Sequence, residues 1–195
     1  MRSRFATRQW EGLGRGALGL LLLVCSLAVS AQTYVQASAT FDWVSTAGHS
    51  TASWSRAAAC SGPGADRDDD STAELPLGFT FKFGGTNYTT VRIMTNGRLP
   101  FNNAFCGYGT NSTSPRTYPY PYPDASLVRT MSVYGADIDM NGGGGKVLYR
   151  TIGTAPNRQF VVTWEDVEEW SASGSSFNLQ IVLNEGGDFI FQPKS

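Results

Sequence analysis

The stretch LPLGFTFKFGGTNYTTVRIMTNGRLPF, Leu75 to Phe101, decides the fold. Leu77, Phe79, Phe81 and Phe83 alternate with Gly78, Thr80 and Lys82. A period of two puts the four large side chains on one face of a strand. Gly84-Gly85 permits positive φ and turns the chain. YTTVRIMT, Tyr88 to Thr95, is rich in strand formers. Asn96-Gly97 then carries the residues of a two-residue type I′ hairpin, which needs positive φ at both central positions. RLPF returns, and Pro100, lacking an N–H, places that return strand at an edge or at a bulge. The stretch predicts three consecutive antiparallel strands and offers no reactive residue.

The same grammar continues toward the C-terminus. MSVYGADIDM (131–140), KVLYRTI (146–152), RQFVVTWEDV (158–167), FNLQIVLN (177–184) and DFIFQ (188–192) read as strands. NGGGG, GTAPN, SASGSS and EGG separate them as turns or loops. No helical period competes. The pattern predicts an all-β protein, an antiparallel β-sandwich. The sequence stops just after DFIFQ, so the sandwich is expected to be incomplete at its C-terminus, either closed by a strand from the N-terminal region or continued in a longer product.

Working backward, residues 32–74 form a segment rich in Ala, Ser and Thr, in which ATFDWVS (39–45) could make a strand. GPGADRDDDST (62–72) is a solvated loop. Residues 1–31 read as a secretory signal peptide. Arg2, Arg4, Arg8 and Arg15 precede the apolar run ALGLLLLVCSLAV, and Val29-Ser30-Ala31 supplies small residues for cleavage. The run is short for a membrane span, which needs about 20 residues. Cleavage leaves 164 of the 195 residues, a single-domain length. The organisation expected is a signal peptide (1–31), an N-terminal segment (32–74) and a β-sandwich (75–195).

Four of the 15 basic residues and one of the 16 acidic ones lie in the signal segment, so the exported chain is net negative by about four charges. Scattered Lys and Arg with that balance argue against nucleic acid as a partner. Two of three cysteines remain, Cys60 and Cys106. In an oxidising compartment the simplest reading is a disulfide, closing a loop worth roughly 4 kcal/mol on the chain-entropy model; two separate thiols are the alternative.

Chemistry is sparse. His49 is the single histidine, and no G-x-S-x-G elbow or phosphate-binding loop accompanies it. WEDVEEW, Trp164 to Trp170, sets four carboxylates between two tryptophans. A glycosidase would need two carboxylates flanking a sugar, yet period two sends Trp164 and Asp166 to one face and Glu165 and Val167 to the other. A charged strand end is the plainer reading. DIDMNG, Asp137 to Gly142, matches the first half of a calcium loop, but its twelfth position is Leu148 where a bidentate Glu belongs. A calcium site outside the EF-hand pattern, from Asp137, Asp139 and Asn141, stays open, and Asp66 to Asp70 could add ligands. Otherwise no cofactor is expected. Tyr118, Tyr120 and Tyr122 alternate with prolines in an extended segment that is either a connection between sheets or a recognition loop.

The ordered set resembles a known family. The F-x-F-x-F strand, the G-x-x-Y turn and the TNG hairpin are similar to the opening of nidogen-like domains, GADIDMNGGGGKVLYR to their acidic turn and next strand, and RQFVVTWEDVEEW and FNLQIVLNEGGDFIFQ to their later strands. Taken together with the signal segment, the set also resembles the N-terminal region of bacterial surface proteins of mannose-sensitive haemagglutinin pilus biogenesis. The resemblance implies a secreted or surface-displayed, non-enzymatic module of adhesion or pilus assembly. Its partner would be a surface or pilus protein, or an extracellular glycan or matrix, with no membrane span once the signal is removed. Tyr118, Tyr120, Tyr122, Trp164 and Trp170 are the candidate contacts. A carbohydrate-binding sandwich, with or without calcium, is the alternative. A hydrolase using Asp137 and Asp139, or the Glu165–Glu169 cluster, is a third reading.

Overall fold

Leu77, Phe79 and Phe81 are buried while Gly78, Thr80 and Lys82 face solvent, as the alternation predicts. They belong to β2 (Leu75–Phe83). In the computed structural model, residues 34–54, 68–103, 127–134, 137–140, 145–170, 172, 174 and 176–194 are described. The other strands are β1 (Ser50–Thr51), β3 (Thr86–Val91), β4 (Arg98–Pro100), β5 (Thr130–Ser132), β6 (Ile138–Asp139), β7 (Lys146–Ile152), β8 (Gln159–Glu169), β9 (Ser176–Asn184) and β10 (Phe189–Lys194). All pairings are antiparallel. The described residues contain no α-helix. Residues 1–31, where a signal peptide is expected, and Cys60, Cys106, Tyr118, Tyr120, Tyr122 and Asn141 lie outside the described residues.

The large sheet runs β1-β7-β8-β9-β10, with β6 on the far end of β8. Two smaller pairs, β2–β3 and β4–β5, form the other layer of an all-β, sandwich-like fold. The core between the layers joins Leu77, Phe79, Phe81, Tyr88, Leu99 and Phe101 to Val147, Phe160, Val162, Trp164, Ile181 and Leu183. Phe101 is its hub: its ring lies 5.9 Å from Phe81 and 5.1 Å from both Phe83 and Tyr88. Each such side chain contributes roughly 1.5–3 kcal/mol on burial. The layers are also tied by hydrogen bonds. Thr151 Oγ1 donates to the Leu77 carbonyl at 2.8 Å, and the Arg158 guanidinium, held by Glu185, donates to the Gly78 carbonyl.

The two Gly-containing turns exchange the roles expected of them. The type I′ requirement is met at Gly84-Gly85, with φ of 56° and 82° between the paired Phe83 and Thr86. At Asn96-Gly97 the loop has three residues, Thr95 to Gly97, between the bridged Met94 and Arg98, and only Gly97 is left-handed (φ 68°). That is the three-residue hairpin with glycine at its last position. The return passes Arg92 and Met94, but the ladder partner of β4 is β5, so the third strand of the stretch leaves the β2–β3 hairpin. MSVYGADIDM likewise yields two short strands, β5 and β6, in place of one.

ATFDWVS is not a strand. Residues 34–49 form an irregular strap across the outer face of the large sheet, reaching Gln192, Gln180, Glu165 and Arg150 in turn. This explains why Val161, Thr163, Gln180, Val182 and Gln192 are buried although they point away from the core. A sheet covered on both faces reads as near-continuous apolar sequence, as FVV and LQIVL do.

Candidate functional site

At one end of the large sheet, three chain segments converge. The Thr95–Gly97 turn carries Asn96, which is wholly buried. Its amide donates to Asp69 Oδ1 at 2.8 Å and accepts the N–H of Ile138 at 2.8 Å. Asn96 therefore fastens the loop of Asp68 to Asp70 on one side and the start of β6 on the other. Asp68 bridges Asp139 through the backbone, and the Trp170 N–H donates to the Asp137 carbonyl at 3.0 Å. Gly97 is required there, since a Cβ would come within 2.8 Å of Tyr134 Cβ.

The result gathers like charges. Carboxylate oxygens of Asp68, Asp69 and Asp137 all lie within 4.8 Å of one another, the one such acidic group among the described residues. Oδ1 of Asp68 and Oδ1 of Asp137 are sealed from solvent and accept no hydrogen bond. Burial, then the charges of Asp69, Asp68 and Asp139, push the Asp137 carboxyl up to about 7, against the opposing pull of Arg98. Burial, then Asp69 and Asp139, push Asp68 up to about 6. Asp69 is also raised, by burial first, although the Asn96 hydrogen bond and Arg98 work the other way. Such a set can take up a proton or a cation. All-oxygen, carboxylate-rich donors suit a hard divalent ion such as calcium rather than zinc or copper.

The sequence-derived candidates divide. Asp137 meets Asp68 and Asp69, whereas Asp139 stays outside that group and contributes a backbone bridge to Asp68 and a nearby charge; Asp66 lies outside the described residues. Trp170 stands beside Asp137 with 55% of its surface exposed. Trp164 is no contact residue. It is fully buried in the core, and its indole N–H donates to the Met94 carbonyl at 3.0 Å. The expected alternation fails because β8 bulges: Asp166 adopts φ 53° and the register shifts between Trp164 and Val167, so both of those face inward. Gly145 makes room for the bulge, where a Cβ would meet the Asp166 carbonyl at 2.8 Å. Glu165, one of the proposed hydrolytic acids, is held below the usual carboxylate range by its hydrogen bond to Lys146. It also accepts from Thr46, which gives it a structural task. Sequence reasoning missed Asn96 and Arg98. Asn-Gly read as a turn, and nothing in it signalled a buried amide with two partners.

An antiparallel two-layer fold with its polar residues collected at one corner defines the class: a β-sandwich-like domain. Residues 33–192 match the family model described as NIDO related, and the chain belongs to that nidogen-related family. No curated protein and no solved structure matches the chain. No helix among the described residues is long and apolar enough to cross a membrane.

Proposed function

We infer that this is an extracellular adhesion-type module that works by recognition without catalysis. Its contact site is the corner where Trp170, bonded through its backbone to Asp137, adjoins Asp68, Asp69 and Asp137. Family membership supports the extracellular, adhesive setting. The observation that carries the location is the juxtaposition itself: a half-exposed tryptophan hydrogen-bonded through its backbone to Asp137, one of the three clustered acids. Large exposed aromatics beside fixed polar groups are the usual anchors of interfaces. The partner class is a surface or pilus protein. The resemblance to pilus-biogenesis proteins supports that choice, and the signal peptide expected at residues 1–31 fits export.

A second reading is favoured by the two buried, unpaired aspartate oxygens. In it, calcium occupies the corner and the bound ion with Trp170 receives a glycan. One experiment separates the two. Wild type, Trp170→Ala and Asp137→Asn are tested for binding to a cell-surface protein fraction and to a glycan array, with calcium and with chelator. Protein binding lost in Trp170→Ala but indifferent to chelation supports the first reading. Glycan signal lost in both variants and on chelation supports the second. Binding unchanged in both variants rejects the site. If calcium binds, about a hundredfold excess over its Kd should stabilise the wild type by about 2.7 kcal/mol, and Asp137→Asn should lose that response.

A further inference from the structure

The outer face of the large sheet is built to hold a polypeptide backbone. Gln192 on β10 treats Asp42 as a strand would: its Oε1 accepts the Asp42 N–H and its Nε2 donates to the Asp42 carbonyl, each at 2.8 Å. Gln180, its cross-strand neighbour on β9, does the same for Val44, each bond at 3.0 Å. The pattern then steps on by two residues per strand. Thr46 donates to Glu165 on β8, and the Gly48 carbonyl accepts from Arg150 on β7. The two amides are themselves chained. Gln192 Nε2 donates to Gln180 Oε1 at 3.2 Å, and Gln180 Nε2 to Thr163 Oγ1 at 2.8 Å. Gln180 thereby uses both N–H groups and two acceptor positions of its oxygen.

These pairings read main-chain atoms of Asp42 and Val44, so they need an extended segment in the right place and do not need it to be covalently attached. The half of the strap before them is loosely held. Tyr34 docks its ring against Phe83 and Phe189, and its hydroxyl accepts the Gly84 N–H at 2.7 Å. Residues 35–41 are exposed throughout, Val35 by 86% and Phe41 by 57%. The link to the body is a short turn closed by His49 N–H to the Thr46 carbonyl, with Gly48 at φ 74°. Opening that turn would carry the strap away from its own sheet with every other contact reproducible on a neighbour.

We propose that this glutamine-lined face is an interaction surface whose partner is residues 34–44 of a second copy, so that copies join by exchanging straps. The segment known to fit the groove is the one seated in it, which makes another copy the best-matched partner. The intramolecular and exchanged forms share all their contacts except the turn at 46–49. Their balance is therefore set by concentration against the ~1 mM effective concentration of a short tether.

The test uses full-length chains and a fluorescent synthetic peptide of residues 34–44. In an Asp42→Pro/Val44→Pro chain, the resident strap cannot donate its two N–H groups, and the peptide should bind saturably. Adding Gln180→Ala and Gln192→Ala to that chain should weaken binding at least tenfold. Isotopically heavy and light wild type, mixed near 1 mM and diluted, should show mixed dimers by native mass spectrometry, and at least tenfold fewer with Gln180→Ala/Gln192→Ala, which releases the strap from the sheet in both forms. Should the proline chain not fold, the isotope experiment decides alone. Peptide binding that ignores the glutamines, or wild type that never forms mixed dimers, overturns the proposal.

Discussion

Two regions of this domain bury polar side chains, and they do so by opposite rules. On the strap face, Gln180, Gln192 and Thr163 form a closed set in which donors meet acceptors across three strands and onto the strap backbone. At the acidic corner, Asp68, Asp69 and Asp137 face one another, and two of their oxygens are sealed off without a donor. A satisfied buried network rigidifies a fold, whereas an unsatisfied one stores free energy that a ligand or proton can release. The strap face therefore reads as architecture that could also be shared between copies. The corner reads as the place where something else is meant to arrive.

The largest test of this division is Trp164→Ala. Trp164 fills the core and hydrogen-bonds Met94, one residue before the turn that holds Asn96. It ties the large sheet to the corner. Loss of about 3–5 kcal/mol is expected in urea unfolding. Amide exchange should quicken at Asn96 and Ile138 more than at Asp42 and Val44. Equal acceleration everywhere would mean that the two regions are not separable. Next in size is Gln180→Ala, which strands the Val44 N–H and carbonyl and removes partners from Thr163 and Gln192. A cost of about 1–3 kcal/mol follows from leaving such buried groups unpaired. The corner should respond with the opposite sign. Asp137→Asn removes one crowded charge and should stabilise the domain at pH 8 by on the order of 1 kcal/mol, after discounting for its partial exposure. Destabilisation by that change in calcium-free buffer would place Asp137 in a satisfied network and erase the contrast.

How much of this was legible from sequence follows the same line. The strands β7, β9 and β10 announce themselves because their periodicity and turn residues are local, and KVLYRTI is found as a strand with the bounds read from its sequence. Val167 departs from the expected face because a single bulge residue, Asp166, inverts the parity of everything after it, and an Asp in left-handed conformation leaves no mark on a period-two pattern. Trp164 lies ahead of the bulge, in phase with Phe160 and Val162 of the core, and reads as a contact only if the strand is taken to end there, whereas β8 runs on to Glu169. The strap was mistaken for a strand because ATFDWVS alternates. Its alternation answers successive strands of a sheet that it crosses, through Gln192 and then Gln180, about 150 and 136 residues away. Asp137 and Asp139 were visible as a fragment of a motif. Their meeting with Asp68 and Asp69 depends on Asn96, a contact between segments far apart in sequence, and no spacing rule encodes it.

The smallest effect is also the most specific, and it lies in pH. Asp137 and Asp68 are raised from about 3.8 to about 7 and about 6 in the folded chain. Between those limits the folded state holds more protons than the unfolded one, so their contribution to stability is complete below about pH 4 and is lost as pH rises through about 7. Two other groups slope the opposite way. Glu185 is lowered to about 2 by its hydrogen bond to Arg158, so its contribution is present above the ordinary carboxylate range and is lost as pH falls toward 2. His49 is lowered by burial and by Arg150, so it opposes folding increasingly as pH falls below about 6.5. A raw stability profile mixes all of these. The difference between Asp137→Asn and wild type cancels Glu185 and His49, and leaves the corner. In calcium-free buffer that difference should grow in favour of the variant from pH 4 to pH 7 and then level off, read by urea midpoints at half-unit steps. A difference that stays flat across that window would mean Asp137 ionises like an ordinary surface carboxylate. The corner would then hold no stored repulsion for a cation or partner to relieve.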